Sequence, residues 1–127
     1  MDATRKRIIL VDDNMTNLDM GRKMLSEYYQ VIPAPSAKIM FEILEKVMPD
    51  LILLDVEMPE TNGYQAIKEL KADSRFAGIP VIFLTAKSDA EDEQEGLGLG
   101  AVDYVYKPFT ALLLRSRIEN HLVVCKA

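Results

Sequence analysis

The chain has 127 residues, a length that suits one compact domain and leaves no room for a second. Hydrophobic residues make up 49% of it, enough for a real core, which excludes wholesale disorder. A net charge of −5 disfavours direct contact with nucleic-acid phosphates and favours a metal cation or a basic partner face.

At the start, Arg5, Lys6 and Arg7 precede the apolar run Ile8 to Val11. That run is too short for a signal-peptide core, and acids follow it at once. No run approaches the ~20 apolar residues of a membrane span, so the expectation is a soluble, cytoplasmic chain. Ile8 to Val11 is the first of five short apolar runs. The others are Gln30 to Ala34, Leu51 to Leu54, Val81 to Leu84 and Ala101 to Tyr106. Near-continuous Ile, Leu and Val suit strands buried on both faces of a parallel sheet. Pro33 and Pro35 set the second run apart, because proline cannot donate to a ladder, and this strand belongs at a sheet edge.

Helical patterns fill the gaps. Asn14 or Thr16 caps a first helix that places Leu18, Leu25 and Tyr28 on one side. Ser36 caps a second, with Ile39, Met40, Ile43, Leu44 and Val47 at helical spacing. Asn62-Gly63 turns into a third carrying Ala66, Ile67 and Leu70. Ser88 or Asp89 starts a fourth with an acidic first half, which Gly96, Gly98 and Gly100 then break. A fifth runs from about Thr110 to Val123, with Leu114, Ile118 and Leu122 inward. The one cysteine, Cys125, lacks a disulfide partner or metal-site spacing and reads as a free thiol near a frayed end.

Alternating strands and helices imply right-handed βαβ units. The predicted fold is α/β, a (βα)5 flavodoxin-like, doubly wound parallel sheet of order 2-1-3-4-5. One domain spans residues 1–127, with its core at about 6–124. Function in such sheets lies at the carboxyl ends of the strands. There the sequence sets Asp12 and Asp13 after the first strand and Asp55 at the end of the third. Thr85 and Ala86 follow the fourth, and Lys107-Pro108 the fifth. Like-charged carboxylates ~5 Å apart cost about 3 kcal/mol per pair at an effective dielectric of ~20, so a cation must offset them. Lys107 supplies one charge. Oxygen ligation by few protein groups points to Mg²⁺ for the rest. Taken singly, each feature has a plain structural reading as a helix cap, a turn residue or a loop. Together at one rim they do not.

These residues resemble the receiver domain of bacterial two-component response regulators, from Arg7 to about His121. The resemblance rests on Ile8-Ile9-Leu10-Val11-Asp12-Asp13-Asn14 and Leu51-Ile52-Leu53-Leu54-Asp55-Val56-Glu57-Met58-Pro59, with Gly63 beyond. It rests also on Pro80 to Ala86 and Gly100 to Phe109. It implies that Asp55 accepts a phosphoryl group from a phosphohistidine of a sensor kinase or histidine phosphotransfer protein. Mg²⁺ would be held by Asp13, Asp55 and the backbone carbonyl of Glu57, with Asp12 acting largely through water. Thr85 and Ala86 would bind the phosphoryl group with Lys107, and Tyr104 would turn inward in response, with Tyr106 secondary. The Lys107-Pro108 bond would be cis. Such a chain modifies itself and turns over no external substrate.

Glu57 and Lys87 lie two residues beyond Asp55 and Thr85. An ion pair between them across the mouth would slow water's access to the acyl phosphate, and Asn14 flanks the same rim. The expected output face is helix four, strand five and helix five, where Asp103 and Arg117 resemble members of a charged dimerisation set. Leu113 and Val102 depart from that set. An exposed leucine among Leu112, Leu113 and Leu114 would anchor a partner, an effector domain or a second copy of the chain. His121 reads as an ordinary surface histidine. The stretch Ile79 to Leu122 looks most like receivers attached to cyclic-di-GMP enzymes or to kinases.

Three other functions compete. A flavodoxin would need a phosphate-cradling first loop, which Asp12 and Asp13 oppose. A haloacid-dehalogenase-type phosphatase would need an Asp where Glu57 stands. A degenerate receiver acting only as a protein-interaction module would not need Asp13, Asp55, Thr85 and Lys107 together.

Overall fold

The computed structural model describes residues 5–58, 61–86, 90–107 and 109–126. Among the described residues ten elements alternate: β1 Arg7–Val11, α1 Met15–Leu25, β2 Gln30–Ala34, α2 Ala37–Leu44, β3 Leu51–Asp55, α3 Gly63–Ala72, β4 Val81–Thr85, α4 Ala90–Gly98, β5 Asp103–Tyr106 and α5 Ala111–Lys126. All strand pairs are parallel, in the order β2-β1-β3-β4-β5. The sequence-based order is therefore correct, and Pro33 does lie in an edge strand, opposite Leu10.

The strand alternation of period two divides the core into two layers. Ile9, Val11, Ile52, Leu54, Val81, Phe83 and Tyr104 face one side with Met40, Ile67 and Leu70. Ile8, Leu10, Leu51, Leu53, Ile82, Leu84 and Val105 face the other with Leu18, Leu25, Leu114 and Ile118. Every residue of β3 and of β4 is buried, as their unbroken apolar runs require.

Caps fix where the helices begin. Asn14 rather than Thr16 caps α1, its side chain accepting from the Asn17 N–H at 3.0 Å. Ser36 caps α2, and Asn62 caps α3 in a reciprocal box with Gln65. Thr110 accepts from the Leu113 N–H at 3.1 Å in front of α5. Ser88 and Asp89 lie outside the described residues.

Five expectations need correction. The last strand begins at Asp103, because Gly100 turns the chain with a φ of 113° and leaves Val102 exposed. Gly96 does not break α4, which runs through it. A Cβ at Gly96 would fall 2.8 Å from a ring carbon of Tyr104 and 2.9 Å from one of Phe83, so the missing side chain is what lets α4 settle there. Tyr28 is exposed, since α1 ends at Leu25 and the following turn carries Tyr29 into the core instead. Val47 follows the end of α2 at Leu44. At the far end α5 continues past Cys125 to Lys126. No helix among the described residues is long and apolar enough to cross a membrane.

Candidate functional site

Strand register levels the carboxyl ends. Val11 lies beside Ala34 and Leu54, Asp55 beside Leu84, and Thr85 beside Tyr106. The ladder continues one step beyond the strands. Asp12 N–H donates to Ala34 O at 3.1 Å, Val56 N–H to Leu84 O at 3.2 Å and Lys107 N–H to Thr85 O at 2.7 Å. Asp12, Asp55 and Lys107 thus stand on hydrogen-bonded backbone, although 95 positions separate the first from the last.

Carboxylate oxygens of Asp12, Asp13 and Asp55 all lie within 4.8 Å of one another. Asp12 and Asp55 are buried, at 3% and 5% exposure, and Asp13 is exposed. Asp12 has both oxygens engaged. Oδ1 accepts from the Asn14 N–H at 2.9 Å, and Oδ2 accepts from Lys107 Nζ at 2.9 Å. Lys107 Nζ also reaches Asp55 Oδ1, at 3.5 Å. The remaining carboxylate oxygens, gathered at a solvent-open edge, suit a hard divalent cation that keeps several waters.

Burial pushes the Asp55 carboxyl up to about 6, with Lys107 pulling it down and Asp12 pushing it further up. Burial alone would lower the Lys107 ammonium, yet its hydrogen bond to Asp12 and the field of Asp55 carry it above the ordinary lysine value. One lysine does not neutralise three acids. The three carboxylates are positioned to coordinate a divalent metal such as Mg²⁺, and the elevated Asp55 carboxyl marks where its charge is needed.

Around this centre the other expected residues take definite places. Thr85 is wholly buried, and Ala86 beyond it is exposed. Gly63 at the start of α3 donates to Val56 O at 2.8 Å, and a Cβ there would lie 2.5 Å from Asp55 O. Only glycine lets α3 approach the Asp55 backbone so closely. Tyr104 is 6% exposed and lies inward against Phe83, and Tyr106 shares its face with a ring centroid 5.6 Å away. Lys87 and Pro108 lie outside the described residues, so the Glu57–Lys87 pair and the Lys107-Pro108 peptide have no geometry here.

Two features escaped the sequence reading. The Tyr64 hydroxyl stands 2.8 Å from that of Tyr104, a pairing across 40 positions that no local pattern announces. His121 is not an ordinary surface histidine. Its Nε2 is 3.1 Å from Asp103 Oδ2, beside Arg117 Nη1 at 3.3 Å from the same oxygen. Their i, i+4 spacing on α5, opposite an acid opening β5, is the one sequence signal that could have found this cluster. In the first turn of α5 Leu112 and Leu113 are exposed and Leu114 is buried.

The chain matches the response regulator receiver domain over residues 8–119. It belongs to that family. It is 46% identical over 121 residues to a Vibrio cholerae protein named "Probable cyclic di-GMP phosphodiesterase", covering 95% of this chain and 27% of that protein. It is 34% identical over 120 residues to hybrid signal transduction histidine kinase D of Dictyostelium discoideum, covering 94% of this chain and 8% of the kinase. The receiver therefore spans only a fraction of these curated relatives. Among solved structures it superposes on the receiver domain of sensor histidine kinase PA1611 from Pseudomonas aeruginosa with a TM-score of 0.85 at 29% identity. That likeness covers 94% of this chain and 98% of the other, whose active-site cleft holds a magnesium ion. A CheY-like receiver domain protein from Methanospirillum hungatei gives a TM-score of 0.88 at 27% identity, covering 97% and 98%. The receiver's acidic triad and its fold are those of a phosphorelay switch.

Proposed function

We propose that Asp55 is the phosphoacceptor of this receiver and that the phosphoryl donor is a phosphohistidine on a sensor histidine kinase or a histidine phosphotransfer protein. A carboxylate oxygen of Asp55 forms the new P–O bond as the P–N bond of phosphohistidine breaks, and the leaving imidazole takes up a proton. The convergence of Asp12, Asp13 and Lys107 on Asp55 carries this reading. Asp13, Asp55 and the backbone carbonyl of Glu57 would hold Mg²⁺, and Asp12, with both oxygens engaged by protein groups, would act through water. Bound Mg²⁺ supplies positive charge that offsets the charge developing on the phosphoryl oxygens. Lys107 contributes the protein's own share.

The product carries a charge of roughly −1.5 to −2 where the carboxylate carried −1, and it sets three phosphoryl oxygens beside buried Thr85. Thr85 donates to it from the side chain and Ala86 from the backbone N–H, and the space Thr85 leaves favours further the inward position that Tyr104 already holds. Asn14, whose N–H fixes Asp12, and exposed Glu57 tune access to the site. The output surface comprises α4, β5 and α5, with Asp103, Arg117 and exposed Leu113. It serves an effector domain, a partner protein or a second copy of the chain. The likeness to the Vibrio cholerae protein favours cyclic-di-GMP turnover as the controlled activity.

Borohydride reduction of the acyl phosphate followed by peptide mass mapping tests the acceptor assignment. The modification is expected at Asp55, and its appearance at Asp12 or Asp13 would contradict it.

A further inference from the structure

We infer that Tyr64 is a positioning residue, a latch that holds Tyr104 inward and ties it to the backbone carrying Asp55; the functional weight of this rests on Tyr104 being the switch aromatic. Tyr64 is the second residue of α3. Its ring meets Phe83 edge-on at 5.2 Å between centroids, and Phe83 meets Tyr104 at 5.7 Å. Its hydroxyl stands 2.8 Å from the Tyr104 hydroxyl. On the opposite side the bare backbone of Gly96 leaves no more than the space the two rings occupy. Tyr104 is thus held at its body by Phe83 and α4, and at its tip by Tyr64.

The two contacts have different consequences. Packing on Phe83 favours burial of any aromatic ring. The hydroxyl pair is specific to one orientation, because rotating Tyr104 outward carries its phenol tip away from Tyr64. A bond made in only one of two states biases the equilibrium between them.

Tyr64 is also coupled mechanically to the acceptor. Its neighbour Gly63 is bonded to Val56 O and packed against Asp55 O with no spare volume. A shift of the backbone at Asp55 therefore moves the start of α3, and Tyr64 with it. This gives the acidic centre a second route to Tyr104, through α3, beside the one through Thr85.

The test uses 3-fluorotyrosine at position 104 and fluorine NMR on the whole chain, first in its unphosphorylated form and then with Mg²⁺ and beryllofluoride. One net hydrogen bond between neutral groups is worth about fivefold in an equilibrium constant. Tyr64→Phe keeps the ring and is expected to lower the inward-to-outward ratio about fivefold in the unphosphorylated form. A cycle of Tyr64→Phe, Tyr104→Phe and the double variant is expected to show the same factor as coupling in the unfolding equilibrium. Unchanged fluorine spectra in Tyr64→Phe, or additive effects in the cycle, would overturn the latch. A position-104 signal that answers to Tyr64→Phe but not to beryllofluoride would uphold the latch and contradict the switch reading of Tyr104.

Discussion

Lys107 Nζ lies 2.9 Å from Asp12 Oδ2, and the pair is the main electrostatic brace of the acidic centre. Both groups hang from backbone just past the end of a strand, and the ladder extensions to Ala34 O and Thr85 O keep them there. Asp55 sits on the far side of the same ammonium, at 3.5 Å. Three acids and one lysine leave an excess of negative charge that burial magnifies at Asp55.

Removing the ammonium should expose that excess. In Lys107→Met two buried carboxylates lose their only short-range cation among the described residues. We expect a loss of about 3 kcal/mol in urea unfolding at pH 7 without divalent cation, shrinking when Mg²⁺ is added. A variant as stable as the parent under both conditions would show that the brace carries no weight.

The elevated Asp55 carboxyl sets a pH dependence. The folded chain holds a proton on Asp55 up to about pH 6, whereas the ordinary carboxylate value is 3.8. Between these values the native state binds more protons than the unfolded one, so stability falls as pH rises through the window. The full effect is about 3 kcal/mol, lost by pH 7 and recovered below pH 4. Asp55→Asn should flatten this slope in metal-free protein and be the more stable form at pH 7. Parallel stability–pH curves for parent and variant would contradict the assignment.

Gly63→Ala should disturb the acceptor without touching any charge. Its Cβ would meet Asp55 O at 2.5 Å and Val56 Cα at 2.9 Å, and backbone atoms cannot swing aside. A cost of about 1–3 kcal/mol is expected, together with slower labelling by acetyl phosphate. Ala substituted at exposed Gly98, where a Cβ has open space, is the control and should do neither. Equal behaviour of the two variants would remove Gly63 from the account.

Much of this was legible because the parallel sheet writes itself into sequence. β3 and β4 are buried on both faces, so Leu51 to Leu54 and Val81 to Leu84 are continuous apolar runs, and the acid or hydroxyl ending each run marks the functional rim. Pro33 disclosed the edge strand, and Asn14, Ser36 and Asn62 disclosed helix starts. What sequence missed depends on close approach between distant segments. Gly96 looked like a helix breaker, and only the rings of Phe83 and Tyr104 beside it explain its place within α4. Tyr64 and Tyr104 meet within one core layer from α3 and β5, and neither residue's neighbours predict the other. His121 meets Asp103 across 18 positions, where the first residue of β5 lies against α5.

Intact-mass spectrometry of the chain after incubation with acetyl phosphate tests the central claim most directly. The parent should gain the mass of one phosphoryl group in the presence of Mg²⁺, lose the gain when the cation is chelated beforehand, and show none in Asp55→Asn. No gain in the parent, or an equal gain in Asp55→Asn, would contradict the assignment of Asp55 as the phosphoacceptor.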